Sequence, residues 1–104
     1  IFFRKMTDIN QPDEHQRLSI AFLDLVSLPQ KFDEASELRS LDASHNRLTD
    51  LQLLENCTQL ETLILDNNLL PSACKLPSLP NLRYLSVNNN WITNLVSFID
   101  VVQR

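Results

Sequence analysis

The 104-residue chain contains no glycine. Glycine is the usual residue where backbone φ must be positive, and both phosphate-cradling loops and the nucleophile elbow of serine hydrolases require it. Its absence removes those two catalytic architectures. It also leaves asparagine, the next best residue at left-handed turns, to supply the bends, and Asn46, Asn67, Asn68, Asn88, Asn89 and Asn90 are available for that. Cysteine is scarce: Cys57 and Cys74 are too few for a disulfide framework, and no Cys or His spacing fits a zinc site. Basic charge is scarce too. Nine Lys and Arg against thirteen Asp and Glu give a net charge of −4, which argues against direct nucleic-acid binding, where cations must neutralise phosphates. No apolar run approaches the roughly 20 residues that cross a bilayer, so membrane insertion is not expected. Ile1-Phe2-Phe3 runs straight into Arg4-Lys5 and does not read as a signal peptide. With two thiols and no export signal, a cytoplasmic protein is expected, and the sequon Asn56-Cys57-Thr58 is read as chance.

What the chain does have is a repeat. Leu38-x-x-Leu41-x-Ala43-x-x-Asn46-x-Leu48, Leu60-x-x-Leu63-x-Leu65-x-x-Asn68-x-Leu70 and Leu82-x-x-Leu85-x-Val87-x-x-Asn90-x-Ile92 begin at 38, 60 and 82, a period of 22. Leu63 and Leu65, two apart, share one face of a short strand, with Ile64 on the other. One such coil cannot cover its own apolar face, so stacking is required. Aliphatics at three-residue spacing between copies, as in Leu48, Leu51, Leu54, Cys57 and Leu60, fit 3₁₀ or irregular turns. Asn46, Asn68 and Asn90 are read as a structural ladder whose amides satisfy buried backbone groups.

The pattern resembles the leucine-rich repeat family, in its short 22-residue intracellular type. The resemblance implies an α/β solenoid with short parallel strands on a concave face and 3₁₀ or irregular turns on the convex face. The expected organisation is an N-terminal tail or cap edge at 1–17 and repeats over 18–104: an atypical repeat at 18–37, then 38–59, 60–81 and 82–104. Leu18-x-Ile20-x-x-Leu23-x-Leu25-x-x-Leu28 supplies the atypical copy, offset by 23, with Leu23 in the Asn slot. A further strand would begin at 104, so the array is expected to be incomplete at its C-terminus, the alternative being that Phe98, Val101 and Val102 fold back as a minimal cap.

The runs Leu63-Ile64-Leu65-Asp66-Asn67-Asn68-Leu69-Leu70, Leu76-Pro77-Ser78-Leu79-Pro80-Asn81-Leu82 and Asn90-Trp91-Ile92-Thr93-Asn94-Leu95 are similar to a melanocyte-associated branch of that family. This closer resemblance implies an intracellular adaptor in the trafficking of melanosomes or related organelles, with a Rab-family small GTPase as protein partner. Ala43, where Leu is usual, departs from the repeat pattern.

Outward strand positions form three expected rows: Ser40, Thr62, Tyr84; Asp42, Ile64, Ser86; and Ser44, Asp66, Asn88. Tyr84 and Ile64 are the candidate anchors for a protein partner, against the plainer reading of ordinary cross-strand contact. Asp42, Thr62, Ser86, Asp66 and Asn88 surround them. The residue after each ladder Asn gives an edge row in which Leu69 and Trp91 are expected to be neighbours. His45 reads as a solvated turn residue, and Asp33-Glu34 with Glu37 as a solvated face. No pair of acids is placed for acid–base work. A non-catalytic protein-binding scaffold with no cofactor and no metal is expected. Scaffold subunits of nuclear or ribonucleoprotein, cytoskeletal or phosphatase-regulatory complexes are the alternatives.

Overall fold

The computed structural model describes residues 12–95 and Phe98. Four three-residue strands, β1 (Arg17–Ser19), β2 (Ser40–Asp42), β3 (Thr62–Ile64) and β4 (Tyr84–Ser86), form one parallel sheet in chain order. Parallel neighbours need a long return between strands, and here each return takes about one repeat. The register places Leu18, Leu41, Leu63 and Leu85 side by side. Two 3₁₀ turns, Gln30–Glu34 and Gln52–Leu54, lie in the returns after β1 and β2. Each begins with no side-chain cap and closes through a backbone bond, Ala35 N–H to Phe32 carbonyl and Glu55 N–H to Gln52 carbonyl. The three-residue aliphatic spacing is what such turns bury on one side.

The core is one continuous column. Leu41, Ala43, Leu48, Leu51, Leu54, Cys57, Leu60, Leu63, Leu65 and Leu70 are fully buried, with Ile20, Phe32 and Leu76 beside them. Ala43 is accommodated inside that column and is itself fully buried. In the β4 coil the corresponding Leu82, Leu85, Val87 and Ile92 are only half-buried. Phe98 is buried, and its carbonyl accepts from Leu76 N–H at 3.1 Å; Val101 and Val102 lie outside the described residues, as does the 1–11 part of the expected tail.

Ahead of β1, Asp13 closes a turn. Its carboxylate accepts from the backbone N–H of His15 at 2.8 Å and of Arg17 at 2.9 Å, and from Arg17 Nε at 3.0 Å. Its own N–H donates to the Arg17 carbonyl at 2.9 Å. The Arg17 backbone bond, first among several, holds the Asp13 carboxyl below its ordinary value. Gln16, in the left-handed region, presents its carbonyl to Arg39 N–H and Ser40 N–H, tying this turn to β2.

Candidate functional site

Between coils runs the asparagine ladder. Asn46 Nδ2 donates to the carbonyls of Ile20 at 2.9 Å and Ala43 at 3.1 Å, while its Oδ1 accepts from Leu23 and Leu25 N–H at 3.1 and 2.9 Å. Asn68 repeats this toward Ala43 and Leu65, both at 3.0 Å, and accepts from Leu48 N–H at 3.0 Å. Asn90 donates to Leu65 and Val87, both at 3.0 Å, and accepts from Leu70 N–H at 3.1 Å. Every amide is committed to backbone, so these side chains hold the bends and offer nothing to a ligand.

The bend itself is made one residue earlier. Phe22, His45, Asn67 and Asn89 all lie at φ between 57° and 60°. Asparagine thus turns the chain at two of these four positions, and Asn46, Asn68, Asn88 and Asn90 are not in this conformation. A histidine and a phenylalanine do the same work in the earlier coils. A left-handed conformation costs an ordinary L-residue about 1–2 kcal/mol, and a bulky side chain there is a real outlier. Phe22 is nonetheless 71% exposed, its ring stacked on His45 with centroids 4.1 Å apart and planes 10° from parallel. His45 Nε2 in turn lies 3.2 Å from Asn67 Nδ2. Sequence reasoning missed Phe22; the signal was its offset of 23 from His45, which puts an aromatic in a slot suited to asparagine.

On the outward face of the sheet, Ser40 pairs with Thr62 and Thr62 with Tyr84; Asp42 pairs with Ile64 and Ile64 with Ser86. Tyr84 is 56% exposed and Ile64 is half-buried. In the third row Ser44 is buried, and its N–H and Oγ both donate to Asp42 Oδ1, at 3.0 and 2.7 Å. Asp66 Oδ1 accepts from Ser86 Oγ and from Asn88 N–H, each at 2.7 Å, and Asn88 Nδ2 donates to Ser86 Oγ at 3.3 Å. Asp66, Ser86 and Asn88 therefore brace one another across two coils.

The edge row runs Asp24, Arg47, Leu69, Trp91. Arg47 Nε meets Asp24 Oδ1 at 2.8 Å and its Nη2 meets Oδ2 at 3.1 Å, a two-pronged pair with both side chains largely exposed. Leu69 and the strongly exposed Trp91 continue the row as apolar surface, with Pro71 and Trp91 bridged in parallel. Tyr84 and Trp91 thus stand on successive stretches of one coil, one on the sheet face and one on its edge.

Chemistry is sparse elsewhere. Cys57 and Cys74 are free thiols, and burial pushes Cys57 up to about 11. Among the described residues no group of three or more His, Cys, Asp and Glu is placed to hold a metal, and no helix is long and apolar enough to cross a membrane. Two open depressions of about 390 and 480 Å³ share Gln16, Ser36 and Glu37 on their walls, away from the exposed aromatic residues.

Residues 36–78 match the family model for leucine-rich repeats in two copies. Over 73 residues, 68% of the chain, the sequence is 36% identical to the 187-kDa microtubule-associated protein AIR9 of Arabidopsis thaliana, of which it covers 4%. Over 62 residues, 59% of the chain, it is 42% identical to the leucine-rich melanocyte differentiation-associated protein of Homo sapiens, of which it covers 31%. The chain thus spans less than a third of the length of either relative. Leucine-rich repeats generally mediate contacts between proteins and are generally non-catalytic. The strand register, the asparagine ladder and this match together identify residues 36–78 of the chain as leucine-rich repeats.

Proposed function

We propose that the chain is part of a non-catalytic scaffold, an intracellular leucine-rich repeat solenoid that recruits a protein partner on the outward face of its sheet. The observation that carries this reading is Tyr84, an amphipathic ring more than half exposed among short polar side chains. Aromatic anchors ringed by polar groups dominate binding energy at protein interfaces. Ile64, Asp42, Thr62, Ser86, Asp66 and Asn88 form the surround, with Leu69 and Trp91 extending it along the edge. In the finer form of this reading the chain is an adaptor in organelle traffic and its partner is a Rab-family small GTPase. The human relative is named for melanocyte differentiation; the organelle and the GTPase are this proposal's own extension of the sequence resemblance.

Calorimetric titration of the chain with purified Rab-family GTPases, loaded with GDP or a non-hydrolysable GTP analogue, tests both levels. Binding to one loaded state, weakened by Tyr84→Ala with Ile64→Ala while melting is unchanged, is the expected result. No binding in either state removes the GTPase from the reading, and full binding by the double variant removes this face. A second reading, a scaffold subunit at the cytoskeleton, is favoured by the name of the plant relative. Co-sedimentation of the chain with taxol-stabilised microtubules distinguishes the two.

A further inference from the structure

We draw no further inference here: the strongest candidate, the exposed Phe22 ring stacked on His45 at the left-handed turn that follows β1, is an unpartnered apolar surface, and nothing in the structure shows what covers it.

Discussion

Asn68 reaches back twenty-five residues to the Ala43 carbonyl at 3.0 Å, and the same amide nitrogen holds the Leu65 carbonyl of its own coil at 3.0 Å. One side chain thus fixes the distance between two coils at the point where each leaves its strand. Its oxygen adds a third tie, to Leu48 N–H. Asn68→Ala strands these groups in a site that is 3% exposed. A buried polar group left unpaired costs roughly 1–3 kcal/mol, so the variant is expected to lose about 2–4 kcal/mol in urea unfolding. Asn68→Asp keeps the acceptor but loses the donor and buries a charge, and should do no better. A loss below about 0.5 kcal/mol, the size of a surface change, would show that the ladder is dispensable.

The same inward slot in neighbouring strands gives an internal comparison. Leu63 is fully buried, while Leu85, its partner in register, is half-buried. Truncation of a buried leucine costs about 2–5 kcal/mol because a cavity adds to the lost transfer energy. Leu63→Ala is therefore expected in that range, and Leu85→Ala at about 1–2 kcal/mol, since less apolar area is withdrawn from water there. Chemical denaturation of both variants checks the ordering; equal losses would mean that the two coils are equally closed.

Much of this was legible in the 22-residue spacing. Leu41, Leu63 and Leu85 fall in one register because side chains alternate along a strand and the repeat is regular. The ladder was legible because a short side-chain amide offers two N–H donors and a carbonyl acceptor at one buried point. Two things were not. The repeat gives Leu63 and Leu85 the same letter, and their different burial depends on what packs beside each coil. Propensity assigns left-handed bends to asparagine, yet Phe22 and His45 take them, their rings stacked on one another against a local cost of about 1–2 kcal/mol.

Acid should act on the turn ahead of β1. The Asp13 carboxyl is held below its ordinary value of 3.8, chiefly by the Arg17 backbone N–H. A lowered folded-state pKa contributes stability that is present above the unfolded value and disappears as pH falls through the folded one. Wild type should therefore melt above Asp13→Asn at about pH 5, and the two curves should converge as pH drops below the ordinary carboxylate range. Asp13 is exposed, so the difference is expected to be small and reduced by salt. Parallel curves down to low pH would mean that the ionised carboxylate does nothing for the turn.

The two thiols should separate by reactivity and by alkali. Cys57 is fully buried, with its Sγ 3.8 Å from the Phe32 carbonyl, and burial raises it from 9.0 to about 11. Cys74 is half-buried and is also raised, by burial first and then by the charge of Asp50. Only the thiolate alkylates, so iodoacetamide at neutral pH should modify Cys74 first and reach Cys57 only on unfolding. The sign for stability follows from the same shift. A folded pKa above the unfolded one gives a contribution intact below 9.0 and lost as pH rises through about 11. Wild type should weaken across that interval, whereas Cys57→Ala, less stable at neutral pH because of the cavity it leaves, should lack that component of the decline. If Cys57 in the folded protein alkylates as fast as Cys74, the central column is open to solvent at the coil that the 3₁₀ turn Gln52–Leu54 precedes.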